Sequence, residues 1–132
     1  MKSSDVHDWF DAYLETFVAF GRGHRADIEG LREYYDVPLL LTTDRGALAL
    51  ESEDSVARAL KEQIDAMRAA GYDRSDVLES HVEILNAVTA LYRGHFSRRT
   101  SDGSEIGRVR VTYLITDRGS GRRIGALVVQ SA

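Results

Sequence analysis

Apolar residues near the start of the chain recur at intervals of three and four, and this spacing places them on one face of an amphipathic helix. The pattern begins at Val6 and runs out at Gly21 and Gly23, so it predicts a first helix between these positions. Ser3 or Ser4 is placed to cap the first free amides of this helix. The apolar face consists of Val6, Trp9, Phe10, Tyr13, Leu14, Phe17 and Val18.

The same helical spacing recurs twice further along the chain. It predicts a short second helix over residues 27–35, which ends before Pro38 because proline biases the preceding residue toward extended geometry. It also predicts a third helix over residues 53–70. Ser52 is placed to cap the start of this third helix, and Gly71 is placed to terminate it.

Between and after these helices the hydrophobic period shortens from about 3.6 residues to about 2, which is typical of strands with one buried face. Two short strands are predicted at 38–43 and 47–50, joined by a turn that contains Asp44 and Gly46. Four longer strands follow, and the turn residues between them predict an antiparallel meander. These strands are expected near residues 78–84, 88–98, 108–116 and 123–131.

Length and composition fit one globular domain over residues 1–132. Hydrophobic residues make up 43% of the 132 residues and charged residues 29%, which is enough for one core. The 21 acidic and 17 basic residues are interspersed and give a formal net charge of -4, so we expect no nucleic-acid partner. The absence of cysteine excludes a thiolate nucleophile, disulfides and cysteine-ligated metal ions.

The N-terminal residues and the apolar runs bear on the location of the protein. Residues 1–5 lead directly into a charged amphipathic pattern, which does not fit a secretory signal. The longest apolar run, at residues 37–41, is far shorter than the roughly 20 residues that a helix needs to cross a membrane. We therefore expect a cytoplasmic protein that does not interact with membranes.

Segments in the second half of the chain combine apolar alternation with turn glycines. They are residues 84–90, 96–98, 102–103, 113–116 and 123–127. With the order helix, helix, hairpin, helix and four strands, they resemble the nuclear transport factor 2-like superfamily, in particular its SnoaL-like and uncharacterised bacterial members. The resemblance covers nearly the whole chain. It implies an α+β, cone-shaped, cystatin-like roll, in which three helices from the N-terminal half pack on a curved, mainly antiparallel sheet around an apolar pocket.

One enzyme of that superfamily, ketosteroid isomerase, uses an aspartate base and an oxyanion hole formed by a tyrosine and a protonated aspartate. The resemblance places Tyr13 at the position of such a tyrosine and Asp44 near the position of the base. The second aspartate has no counterpart, because residues 109–116 contain no acid. The resemblance therefore implies the fold without implying this reaction.

Two polar side chains within the strand patterns are candidates for function. Arg98 continues an apolar strand face, where its charge can bind a carboxylate or an enolate, although a solvated arginine at a strand end fits the sequence equally well. His81 is flanked by Glu79 and Glu83, which suits either a polar cluster or an exposed sheet face. The four histidines show no metal-binding spacing, so we predict no metal and no cofactor.

The sequence leaves three functions open. The first is a domain that binds a small apolar molecule in a pocket. The second is an enzyme of the isomerase, cyclase or hydratase type, with Asp44 or His81 for proton transfer, Arg98 for anion stabilisation and Tyr13 as a further candidate. The third is a non-catalytic dimeric scaffold whose own side chains fill the pocket. The predicted pocket residues are Trp9, Tyr13, Tyr35, Tyr92, Phe96, Arg98 and Tyr113.

The last strands are apolar on both faces, since Tyr113 and its alternating neighbours lie on one side and Leu114 on the other. One layer of helices covers only one face of a sheet. We therefore expect a second copy of the chain to cover the other face in a homodimer. The alternation does not determine which face looks inward, so the sets that contain Tyr92 and His95 are interchangeable at this point.

Overall fold

Three helices pack on one six-stranded sheet in the computed structural model, which describes residues 1–131. The helices are α1 (Ser3–Gly21), α2 (Glu29–Arg32) and α3 (Glu53–Ala69). The strands are β1 (Tyr35–Thr43), β2 (Gly46–Leu50), β3 (Tyr72–Asn86), β4 (Thr89–Thr100), β5 (Glu105–Asp117) and β6 (Arg122–Ser131). Of the helices in residues 1–131, none is both long and apolar enough to span a membrane.

The sheet is mixed, with the strand order β2-β1-β6-β5-β4-β3. All neighbouring strands are antiparallel except β1 and β6, which run parallel. The last four strands form the predicted meander, and the parallel pairing attaches the β1–β2 hairpin to the last strand. The predicted α+β class and mainly antiparallel sheet are thus confirmed.

The predicted second helix is wrong in length, because α2 spans only Glu29–Arg32. Tyr35, which was predicted to end this helix, is instead the first residue of β1 and lies opposite Ile124 of β6. The Ile124 amide donates to the Tyr34 carbonyl oxygen over 2.8 Å. The paired residues Tyr35 and Ile124 are far apart in the sequence, so a local hydrophobic period cannot reveal their contact. Because of this pairing, β1 begins at Tyr35 and the preceding helix α2 is shorter than predicted.

The two longer helices begin differently. Helix α1 already includes Ser3, and its N-cap is Lys2, which supplies no side-chain cap, so the predicted serine cap is wrong. At α3 the predicted cap is confirmed, because the Ser55 amide donates to Ser52 Oγ over 3.1 Å and the Ser52 amide donates to Ser55 Oγ over 3.1 Å. The start of α3 is therefore closed by a reciprocal pair of side-chain bonds.

We predict that Ser52→Ala lowers the free energy of unfolding by about 1 kcal/mol, because it removes a helix cap. Ser4→Ala is the matched control, since Ser4 lies inside α1 and supplies no cap. Urea unfolding followed by circular dichroism measures both changes. An equal loss in the two variants would contradict this assignment of the caps.

A β-bulge interrupts β3 between Val77 and Glu79. Val77 lies opposite Phe96 of β4, and Glu79 lies opposite His95. The strict period of 2 that the sequence predicts for this strand is therefore broken beside Leu78, because the extra residue of a bulge shifts the alternation.

The helices pack on the sheet face that carries Ala90, Tyr92 and Phe96, and we call this the inner face. These three side chains are at most 4% exposed. Phe10 of α1 stacks on Tyr92 with 3.6 Å between ring centroids, and meets Tyr113 edge-on at 4.9 Å. The set that contains Tyr92 thus looks into the core, and His95 lies on the opposite, outer face.

Candidate functional site

A cavity of about 300 Å³ lies between helices α1 and α3 and the inner face of the sheet. This volume is at the lower end of the range of about 300–1,000 Å³ that is typical of small-molecule pockets. Most of its wall is aliphatic or aromatic: Leu14, Phe17, Leu39, Leu41, Leu50, Val56, Ala59, Leu60, Phe96, Val109, Val111, Leu127 and Val129. The polar lining residues are Tyr13, Tyr35, Thr43, Gln63, Ser75, Arg98 and Tyr113.

Helix α3 supplies one wall of the cavity through Val56, Ala59, Leu60 and Gln63. Residues spaced by three, four and seven positions share one face of a helix. The helical period of the sequence identifies this face, but it does not show that a cavity lies in front of it. The lining residues Leu39 and Leu127, on strands that the sequence predicted, were missed for the same reason: alternation identifies a face without saying what lies in front of it.

Three tyrosine hydroxyls meet at the cavity wall, from Tyr13 of α1, Tyr35 at the start of β1 and Tyr113 of β5. The Tyr13 and Tyr35 hydroxyls are hydrogen-bonded to each other. The ring centroid of Tyr13 is 5.8 Å from that of Tyr35 and 6.0 Å from that of Tyr113. Segments distant in the sequence thus form one compact group, which we call the tyrosine cluster.

Burial raises the pKa of all three hydroxyls in the tyrosine cluster above the ordinary value of 10.0. The positive charge of Arg98 acts on each of them in the opposite direction, but burial dominates. The hydroxyls therefore stay protonated at neutral pH and are available as hydrogen-bond donors.

We predict that the protein loses stability as the pH rises above about 10. There the unfolded tyrosines ionise while the folded ones keep their protons, so rising pH favours the unfolded state. Each residue of the tyrosine cluster contributes a loss of up to about 1.4 kcal/mol per pH unit, a limit that is reached once the unfolded tyrosine is fully ionised. Denaturant unfolding across this range measures the slope, and Tyr13→Phe should reduce it. A free energy of unfolding that stays constant through this range would contradict the prediction.

Arg98 lies on β4, opposite Ser75 of β3 and Gly107 of β5, and its half-buried side chain contributes to the cavity wall. Within residues 1–131, Arg98 forms no ion pair and no side-chain hydrogen bond. Its neighbour Arg99, by contrast, lies 2.8 Å from Asp76 and 3.8 Å from Glu105. Arg98 is therefore a charged residue of the cavity wall that has no charged partner among the described residues.

The structure brings five of the seven predicted pocket residues to the cavity wall: Tyr13, Tyr35, Phe96, Arg98 and Tyr113. Trp9 lies outside the wall, half-buried and stacked on Tyr13 with 6.2 Å between ring centroids. Tyr92 is also outside it, because Phe10 covers its ring. Trp9 and Tyr92 therefore pack against aromatic residues near the cavity but are not part of its wall.

The two candidate proton-transfer groups lie away from the cavity. Asp44 is exposed in the turn between β1 and β2. His81 lies on the outer face, in a depression of about 240 Å³ that it shares with Glu79, Arg93 and His95. Of the described residues that line the cavity, none is an acid or a histidine. Likewise, no group of three or more potential metal ligands occurs in residues 1–131.

Comparison with known proteins relates the chain to one family and one fold. Residues 3–132 match the model of a family described as NTF2-like protein (DUF6841). No curated protein matches the chain.

Three solved structures share the fold at low sequence identity. An NTF2-like protein of unknown function from Shewanella oneidensis is 15% identical, with 99% of this chain and 100% of that chain covered and a TM-score of 0.73. A Xanthomonas campestris protein provisionally named a calcium/calmodulin-dependent protein kinase II association domain is 14% identical (100% and 89% covered, TM-score 0.71). A Parabacteroides distasonis protein provisionally named a ketosteroid isomerase is 11% identical (93% and 85% covered, TM-score 0.67). These different names show that the shared fold does not fix a function.

Proposed function

We propose that this chain, which belongs to the NTF2-like family DUF6841, reversibly binds a small, largely apolar molecule in the cavity between its helices and its sheet. The observation that carries the proposal is the cavity itself, about 300 Å³ with mostly apolar walls. Burial of an apolar ligand surface there removes it from water, and the few polar groups fix its orientation.

Binding is favoured over proton-transfer catalysis by the chemistry of the lining. A general base has to be within hydrogen-bond reach of the proton that it removes. The described lining residues include no carboxylate and no imidazole, and the tyrosine cluster is held protonated. Proton-transfer catalysis in this cavity would therefore require that the ligand itself supply the base.

The experiment that tests the proposal is ligand-observed NMR with two small probes, phenylpropanol and phenylpropionate, complemented by native mass spectrometry of the gently purified protein. We expect at least one probe to bind. Ala59→Phe should abolish binding, because Ala59 lines the cavity and the larger side chain fills it. Ala66→Phe is the matched control, since Ala66 is exposed on the same helix.

If neither probe binds and the purified protein carries no additional mass, the proposal fails and the scaffold reading takes its place. Binding that survives in Ala59→Phe would also count against the proposal, because it would place the ligand elsewhere on the protein.

A second copy of the chain is proposed as the partner of the outer sheet face. One apolar row crosses this face through directly paired residues of five strands: Ala49, Leu40, Ala126, Leu114 and Leu91. The helices pack on the inner face, and Leu40 remains 45% exposed. A row that continues from strand to strand suits the flat, self-complementary contact of a twofold dimer.

We predict that sedimentation velocity shows a dimer at micromolar concentration, and that Leu40→Glu dissociates it by placing a charge in the apolar row. Leu48→Glu is the control, because Leu48 is 60% exposed and pairs with Leu41, whose side chain lines the cavity on the inner face. A monomeric wild-type protein would contradict this prediction.

A further inference from the structure

One positive charge stands in the wall of an otherwise uncharged cavity. Among the described lining residues Arg98 is the one charged group, and it has no ion-pair partner within residues 1–131. A charge that is partly removed from water without a partner costs free energy. The next residue of β4, Arg99, has its charge balanced by ion pairs with Asp76 and Glu105. Arg98 has no such partner among the described residues, and it is the charge that faces the cavity.

Arg98 and the tyrosine cluster line the same cavity. The charge of Arg98 affects the pKa of Tyr13, Tyr35 and Tyr113, which places it within electrostatic reach of all three hydroxyls. The Tyr13 and Tyr35 hydroxyls are hydrogen-bonded to each other, and Tyr113 lies beside Tyr13 in the same wall. The described wall of the cavity thus offers a guanidinium and hydroxyl groups, and no negative charge.

We propose that the ligand of this cavity is a small monocarboxylic acid, whose carboxylate pairs with Arg98 and whose apolar body contacts Leu39, Leu60 and Leu127. The inference rests on the proposed function, because it assigns a chemical class to the ligand of the same cavity. A planar guanidinium can hold a carboxylate through two parallel hydrogen bonds.

Other ligand classes fit this wall less well. A cationic amine is repelled by Arg98, and a neutral molecule leaves that charge uncompensated. A phosphate group carries more negative charge than one arginine balances, and the described lining contains no lysine and no second arginine. A single carboxylate matches the single positive charge.

The test compares phenylpropionate with phenylpropanol, which share their apolar body and differ in charge. Isothermal titration calorimetry should show that the wild-type protein binds the acid about tenfold to a hundredfold more tightly than the alcohol. Arg98→Met should bind both compounds equally. Arg98→Lys should keep part of the preference, because it retains the charge and loses the bidentate geometry. Arg110→Met is the control for the loss of one charge, since Arg110 is exposed on β5 and lies outside the cavity lining.

Thermal unfolding of ligand-free Arg98→Met separates a binding role from a structural one. We expect its melting temperature to equal or exceed that of the wild-type protein, because the substitution removes an unpaired charge from an apolar wall. A marked fall would assign Arg98 a structural role and overturn the inference. Equal affinity of the wild-type protein for acid and alcohol, abolished in both cases by Ala59→Phe, would overturn the inference and leave the proposed function standing. Failure to bind either compound, in a protein that also carries no additional mass after gentle purification, would overturn both.

Discussion

Phe10→Ala is expected to lower the free energy of unfolding by about 3–5 kcal/mol. Phe10 is fully buried, with 0% exposure, and its ring stacks on Tyr92 at 3.6 Å and meets Tyr113 at 4.9 Å. The substitution removes the apolar area, leaves a cavity and breaks both aromatic contacts. Domains of this kind are stable by only about 5–15 kcal/mol, so the loss is a large part of the total.

Urea unfolding measures this loss, and Leu78→Ala is its control. Leu78 is 44% exposed, so truncating it should cost much less. If Phe10→Ala were no more destabilising than Leu78→Ala, Phe10 would not occupy the centre of the core. A folded Phe10→Ala variant should also show weaker ligand binding, because Tyr13 and Tyr113 pack on the Phe10 ring and line the cavity.

Gly94→Ala is expected to destabilise the protein by about 1–3 kcal/mol, through overpacking. A Cβ atom at Gly94 would stand 2.2 Å from Cζ and 2.5 Å from Cε2 of the Phe96 ring, which lies over the glycine. Phe96 is only 4% exposed and is stacked near Phe10, so its ring cannot turn away freely. Because Phe96 lines the cavity, its displacement should also weaken ligand binding.

Gly107→Ala on the neighbouring strand β5 is the matched control. A Cβ atom at Gly107 would meet no atom within 4 Å. Replacing a strand glycine where there is space removes its entropic cost, so this variant should be neutral or more stable by up to about 1 kcal/mol. Thermal and urea unfolding of both variants should therefore give effects of opposite sign. Equal effects would mean that Gly94 is not needed for the close approach of Phe96.

The sequence predicted best where structure follows from local periodicity. The apolar face of α1, the capping of α3 by Ser52 and the four strands of the meander each depend on residues a few positions apart. The sequence-based prediction failed where a contact between distant segments determines the secondary structure. Tyr35 joined a strand because β6 pairs with it, and the bulge beside Leu78 is visible only in the register with β4.

The candidate site was partly predictable for the same reason. Aromatic and hydroxyl-bearing residues on apolar faces were identifiable as pocket candidates, and Arg98 stood out as a charge that continued an apolar row. Periodicity cannot show that Phe10 covers Tyr92 and separates it from the cavity. Nor can it show that His81 lies on the outer face, because the two faces of a strand are equivalent until a helix packs on one of them.

By itself, the sequence determined the elements, their order and the α+β class, because hydrophobic period and turn residues act over a few positions. Only the tertiary structure decided which sheet face looks inward and which tyrosines share one cluster. It also decided that the charge of Arg98 lines a cavity without a partner among residues 1–131. These properties depend on packing between segments up to about a hundred residues apart, such as Tyr13 and Tyr113, where burial and electrostatics are set by neighbours that no local pattern encodes.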